Sequence, residues 1–176
     1  MTRWQYNDPL LAWLLVAAYA AHIVEEWFGE FPEWVAIVAG APLPRGAFLA
    51  INAVALLLVI AGTRVATRGA ARGWIAIAIA AVLFINGLLH MLGSVVTGTY
   101  SPGLFTSVVL YLPLGGLALL RAWYQAPEGW FGRGVLVGVA AHAGVSLLAF
   151  AIARVAHASG RGRCGGCIGY VSVSLR

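Results

Sequence analysis

Histidine, glutamate and asparagine side chains interrupt two of the hydrophobic stretches of this chain. His22 is followed at the third and fourth positions by Glu25 and Glu26, and Asn86 is followed at the fourth by His90. Residues three and four apart share one face of a helix, so each stretch would carry a polar face. A charged group at the centre of a bilayer costs about 2.5–3.5 kcal/mol on insertion scales, which makes these residues candidates for a functional site.

A divalent cation would account for an acid and two histidines in an apolar setting. Zinc and iron take imidazole nitrogens and carboxylate oxygens as ligands, and the HxxE spacing reverses the ExxH spacing of metal sites in helix bundles. We expect His22, Glu25 and His90 to hold such an ion, with His142 as a further candidate ligand.

Three other residues are candidates for catalysis beside that ion. Glu26 would act as general base on a water molecule or as a further ligand. Asn86 would orient His90 or stabilise developing negative charge. Tyr100 precedes a proline and a glycine, and its hydroxyl could reach the site from a loop, as a lid or substrate contact; a plain turn is the alternative.

The composition indicates the elements that carry these residues. Apolar residues make up 61% of the 176 and charged residues 10%, with a mean hydropathy of +0.88. We therefore predict an all-α, polytopic transmembrane helix bundle, because five stretches are long enough to span a bilayer. They are residues 9–28, 45–62, 73–96, 103–121 and 134–155.

The positions of the polar residues along these stretches agree in depth. At about 1.5 Å per residue, His22, the glutamates, Asn86 and His90 lie about 20–26 Å from the same membrane boundary. Asn52 enters the same half from the other side, and His142 lies nearer about 12 Å, with Ser146 closer to the shared level. Gly29 and Pro32 are expected to end the first helix, and Pro113 to distort the fourth.

Arginines favour an orientation with the amino terminus in the cytoplasm. They cluster in the second and fourth connections, at Arg64, Arg68, Arg72, Arg121 and Arg133. The arginines of the carboxyl-terminal segment conflict with this rule, because five spans place that segment outside. The net charge of +5 needs no nucleic-acid partner to explain it.

The composition changes at residue 159 to glycine, arginine and cysteine. We predict a transmembrane domain over residues 1–158 and a mobile tail over 159–176. The tail holds Cys164 and Cys167, and a single CxxC could be a redox pair, half a metal site or a flexible disulfide loop.

Three ordered motifs resemble a bacterial membrane protein family named for its HxxEE motif. They are HIVEE at residues 22–26, NGLLH at 86–90 and YSPG at 100–103, and the resemblance covers residues 10–121. It implies an enzymatic site built from these histidines and acids, without specifying a reaction. It also implies an integral protein of the bacterial plasma membrane.

We expect a membrane-embedded, metal-dependent, hydrolase-like enzyme that acts on a lipid or other hydrophobic molecule in the outer half of the bilayer. Oxidation by two irons ranks below hydrolysis, because it usually needs more ligands and His142 could add only one. A metal-free pair of glutamates, a proton- or ion-coupled transporter and a structural subunit remain alternatives. The expected partners are the bilayer and a hydrophobic substrate, with a homo-oligomer left open.

Overall fold

A computed structural model describes residues 8–68 and 72–164, with side chains described as far as residue 159, and this part of the chain is all-helical. Five helices are long and apolar enough to cross a membrane, which confirms the predicted fold class. The six helices are α1 (Pro9–Phe28), α2 (Phe31–Ala39), α3 (Arg45–Arg68), α4 (Trp74–Thr97), α5 (Leu104–Gln125) and α6 (Trp130–Cys164).

Local signals set the ends of α1, whose bounds match the predicted span. The Asp8 carboxylate accepts a hydrogen bond from the Leu10 N–H at 2.8 Å, and Pro9 occupies the first turn, where no N–H is needed. At the other end the Gly29 N–H donates to the Glu25 carbonyl at 2.8 Å.

Helix α2 was not predicted. Glu30 takes a left-handed conformation, with φ of 61°, and this turn separates α1 from α2. Pro32, expected only as a stop signal, lies in the first turn of α2, and Gly40 ends the helix at φ of 73°. With nine residues α2 is too short to cross a bilayer, so a span-length criterion overlooks it.

Helix α5 contains a π-helical turn over Ser107–Tyr111. Pro113 lies two residues after this turn; it has no N–H to donate, and its ring crowds the preceding turn. The distortion expected at this proline therefore takes the form of a widened turn, which carries Tyr111 into the core.

The most buried span is α4, and α6 packs closely on its first half. A Cβ added at Gly134 would lie 2.6 Å from the Ile77 Cβ, and one at Gly138 would lie 2.6 Å from the Ala78 carbonyl oxygen. This GxxxG spacing allows two helix backbones to approach closely.

Beyond Gly138, α6 contacts α2 and α3 instead. Ala153 packs in a cluster with Val35 and Phe48, and the Arg154 Nε donates to the Ala39 carbonyl at 3.2 Å. A cavity lies between α4 and α6 at the end of the bundle where Ala153 and Arg154 lie. The segments at residues 29–44 and 98–103 connect the spans at this same end.

Helix α6 also passes the predicted domain boundary at residue 158, since it continues to Cys164. The rest of the predicted tail, with Cys167, lies outside the described residues.

Candidate metal centre

Three buried side chains from two helices converge on one point. The Nε2 atoms of His22 and His90 lie 3.5 and 3.4 Å from the Glu26 Oε1. The three ligand atoms all lie within 4.8 Å of one another, and the residues are only 1%, 5% and 6% exposed. The convergence of His22 and His90 that the sequence predicted is therefore present.

Hydrogen bonds assign the tautomer of His22. The Thr106 hydroxyl donates to the Gly103 carbonyl, so its oxygen accepts the hydrogen of the His22 Nδ1 at 2.7 Å. The Nε2 then carries a lone pair, which faces a carboxylate oxygen. Two lone pairs at this distance repel unless a proton or a metal ion lies between them.

His90 is oriented in the same way by a second hydroxyl. Its Nδ1 lies 2.9 Å from the Oγ of Ser101, a fully buried residue. In metal sites the outer ring nitrogen of a ligating histidine usually has such a partner, which fixes the ring and directs the other nitrogen to the ion. Both imidazoles of the cluster have one.

The two nitrogen-to-oxygen distances of the cluster fit a small divalent ion. Ligands about 2.0–2.1 Å from a tetrahedral zinc lie about 3.3 Å from each other. The two nitrogen-to-oxygen distances, 3.4 and 3.5 Å, are close to that value. Two imidazoles and one carboxylate form the three-ligand set of catalytic zinc sites, which keep a fourth position for water or substrate.

In the loop before α5, Gly103 lies directly against the imidazole rings of His22 and His90. A Cβ on this residue would lie 2.6 Å from the His22 Cε1 and 2.8 Å from the His90 Cε1. Its φ of 100° is also one that side chains other than glycine rarely adopt. Only glycine therefore fits between the loop and the two rings.

Glu25 differs from the predicted ligand set, because its carboxylate lies against the loop instead of the histidines. It accepts hydrogen bonds from the backbone N–H groups of Gly103, Phe105 and Thr106 at 3.2, 2.9 and 2.7 Å. The metal-binding group contains Glu26 in its place. Residues three and four positions after a histidine share its helix face, and here Glu26, at the fourth position, is the one whose carboxylate faces the His22 ring.

Tyr100 contacts this glutamate as well. Its hydroxyl donates to the Glu25 Oε1, while its ring is partly exposed. Burial raises the pKa of the Tyr100 phenol, and the hydrogen bond to Glu25 adds to the rise. The phenol therefore stays protonated as a donor at neutral pH, and Tyr100 contacts the loop anchor instead of the metal-binding group.

The two remaining predicted site residues lie at the edge of the cluster. The Asn86 Nδ2 lies 3.3 Å from the His22 Nε2, so Asn86 contacts His22 where we expected it to orient His90. His142 lines both adjoining cavities but is outside the metal-binding group, and its Nε2 lies 3.4 Å from the Ser146 hydroxyl.

Sequence reasoning overlooked several residues that hold the cluster. Tyr111 stacks on His22 with ring centroids 4.4 Å apart, and Phe31 packs on His90 at 5.6 Å. Ser101 and Gly103 fall within the YSPG motif, which was a usable signal, although only Tyr100 was singled out there. Thr106 lies in the first turn of α5, where no spacing pattern marks it.

The chain matches the sequence profile of a family described as "Protein of unknown function with HXXEE motif" over residues 13–118. The matched region holds all three ligand candidates and the loop that orients them. Comparison with curated proteins and with solved structures gives no match.

Proposed function

We propose that this chain, which belongs to the HXXEE family, is a membrane-embedded, metal-dependent enzyme of hydrolase type that acts on a hydrophobic substrate. The proposed ligands are the Nε2 atoms of His22 and His90 and a carboxylate oxygen of Glu26. The ion would be zinc or iron, both of which accept this nitrogen and oxygen set.

One observation carries the proposal. The Nδ1 of His22 gives its hydrogen to Thr106, which leaves the Nε2 lone pair facing the buried Glu26 carboxylate. Burying a carboxylate against an acceptor atom is costly without a positive charge between them. A divalent cation removes that cost and agrees with the two nitrogen-to-oxygen distances.

The chain's own groups divide the work of hydrolysis. A bound divalent ion would polarise a carbonyl group and lower the pKa of a water molecule. The second carboxylate oxygen of Glu26 takes a proton from the water, whose oxygen bonds to the carbonyl carbon while the bond to the leaving oxygen breaks. Glu26 then gives that proton to the leaving oxygen, to which the uncharged ring of His142, a residue that lines the same cavity, can donate a hydrogen bond.

The position of the site favours a substrate from the bilayer. The cluster lies inside a helix bundle whose five spans are long and apolar enough to cross a membrane. We place it in the outer half of the plasma membrane, following the orientation that the arginines favour.

Metal content is the first test of this function. Protein purified without a histidine tag should contain about one zinc or iron per chain, as measured by mass spectrometry of the elements. His22→Ala and His90→Ala should remove it, whereas His157→Ala, which changes a histidine away from the cluster, should not. Full metal content in both cluster variants would overturn the ligand assignment.

Turnover is the second test. Fatty-acyl esters in detergent or nanodiscs should be hydrolysed by the metal-loaded protein and not by His90→Ala. The alternative function, a transporter, predicts a flux of protons or ions into liposomes that depends on Glu26. Such a flux without hydrolysis of any ester would overturn the proposed enzymatic function.

A further inference from the structure

Two adjoining cavities meet at the candidate site. One, of ≈ 260 Å³, lies between α3 and α6 and reaches His22 and Glu26. The other, of ≈ 340 Å³, lies between α2, α4 and α6 and reaches His90. Asn86, His142 and Ser146 line both, so the two adjoin at the cluster, and each is about as large as the smaller of the usual small-molecule sites.

The first cavity extends away from the cluster along α3. Its lining on this helix runs from Phe48 through Ala55 to Val59, and at about 1.5 Å per residue it is about 16 Å long. Beyond Asn52 this wall is apolar. The shape and chemistry of this part fit one extended hydrocarbon chain.

The cavity also opens toward the side of the bundle. Leu58 and Val145 line it, yet they are 67% and 42% exposed on the helix surface. Helices α3 and α6 are the least buried spans, so the gap between them faces the region that lipid would occupy. A molecule dissolved in the bilayer could enter here without crossing water.

The polar groups of the lining are uncharged hydrogen-bonding groups, apart from the cluster itself. In the first cavity they belong to Tyr19, Asn52, Asn86, His142 and Ser146, and the second cavity adds Trp34, Thr97 and Ser101. Neither cavity has an arginine among the described residues that line it, and the chain contains no lysine. At this end Arg45 pairs with Glu33 and Arg154 bonds the Ala39 carbonyl.

This lining discriminates between kinds of head group. A phosphate buried here would have only the proposed ion as a cationic partner, and Glu26 already neutralises part of that charge. An anion without enough partners is costly to bury, whereas an ester and a hydroxyl find donors and acceptors in the amide, phenol and imidazole groups.

We propose that the site takes an uncharged, single-chain amphiphile, with its ester group at the cluster and its acyl chain along α3 between α3 and α6. This inference rests on the proposed function for the placement of the ester, but the binding of the chain can be measured without turnover. Monoacylglycerol is the simplest molecule of this chemistry.

The test is labelling by a monoacylglycerol that carries a photoreactive group on its chain, with the protein in nanodiscs. A lysophosphatidic acid with the same chain and label is the matched charged probe. We expect saturable labelling of α3 and α6 peptides by the neutral probe, blocked by unlabelled monoacylglycerol, and several-fold weaker labelling by the charged probe.

Two variants on α6 test the location. Ala141 lines the first cavity and Ala143 lines neither, although both are exposed on the same helix. Ala141→Phe should reduce the saturable labelling several-fold, and Ala143→Phe should leave it unchanged. Ala55→Phe, with Ala50→Phe as its control, repeats the comparison on α3 if Ala141→Phe does not fold.

The outcomes separate this inference from the proposed function. Equal labelling by the two probes would overturn the proposal that the ligand is a neutral amphiphile. So would labelling that neither Ala141→Phe nor Ala55→Phe reduces. Saturable labelling retained in a Glu26→Gln protein that binds no metal would support the cavity assignment on its own. A wild-type protein that binds metal but shows no saturable labelling would overturn only the substrate class.

Discussion

Glu25 and Glu26 are adjacent on α1, yet their surroundings are opposite in kind. Glu25 lies at the edge of the bundle and accepts three backbone N–H groups and a phenol hydroxyl. Glu26 is buried and faces two imidazole nitrogens. A carboxylate among donors is satisfied as it stands, whereas one that faces the lone pair of the His22 Nε2 needs a proton or a cation between them. The comparison shows which of two similar residues is available for chemistry.

The two glutamates nevertheless act on the same pair of rings. Glu25 anchors the segment at residues 100–106, and that segment supplies the hydroxyls of Ser101 and Thr106 to the Nδ1 atoms of the histidines. Glu26 meets the same rings at the Nε2 atoms. Glu25 is therefore a positioning residue in this arrangement, and Glu26 a ligand.

Substitution of the two glutamates should differ most in its effect on metal content. Glu26→Gln should abolish stoichiometric zinc or iron, because an amide is a weak ligand and leaves the ion's charge without compensation. Glu25→Gln, one position away, should keep the metal while it loosens the loop. Elemental analysis of both proteins checks this, and loss of metal from Glu25→Gln alone would reverse the two roles.

The next effect concerns the glycine between the loop and the rings. Gly103→Ala should lower metal affinity strongly, since the added Cβ meets both imidazoles. Gly98→Ala is the matched control, because its φ is also positive, at 64°, but its Cβ would meet nothing within 4 Å. The left-handed conformation alone costs about 1–2 kcal/mol, so both variants should melt earlier. Only Gly103→Ala should also lose the ion in a metal titration.

Removing the hydroxyl partners of the rings should have a smaller effect. Ser101→Ala and Thr106→Val should each weaken metal binding by about 10–100-fold, as loss of such partners does in other metal sites. Thr99→Val removes a loop hydroxyl that bonds Trp34 and Thr97 instead of an imidazole. Competition with a chelator should therefore distinguish the first two variants from the third.

The smallest effect is expected at the outer contact of Glu25. Tyr100→Phe removes one donor and leaves the three backbone N–H groups, so the free energy of unfolding should fall by about 1 kcal/mol. Because the pKa of Tyr100 is raised on folding, its stabilising contribution is present below the ordinary pKa of tyrosine and is lost as pH rises through the raised value. Chemical denaturation at neutral pH measures the change, and metal content should stay at the wild-type level.

Hydropathy was sufficient to predict the five spans, because burial of backbone groups in lipid requires long apolar helices. The bounds of α1 agree at both ends, where Asp8, Pro9 and Gly29 give local signals. Helix α2 escaped prediction, since nine residues fall below the length of a span and Pro32 can either end one helix or begin another.

The site was predictable in its residues more than in its contacts. Spacing placed His22 on one face with both glutamates, and a three- or four-residue separation does not tell which carboxylate meets the ring. The choice depends on the segment at residues 100–106, whose N–H groups attract Glu25 away from the cluster. Such a contact between distant parts of the chain has no periodicity to reveal it.

The glycines at which α6 meets α4 also set the spacing of the walls of the site. Gly134 and Gly138 hold the two backbones together, while Ala153 and Arg154 attach α6 to α2 and α3 farther along the helix. The residues of α6 that line the cavities, between Ala141 and Phe150, lie between these two contacts. A bulkier residue at either glycine would therefore push this wall outward and reshape the cavities without changing any proposed ligand.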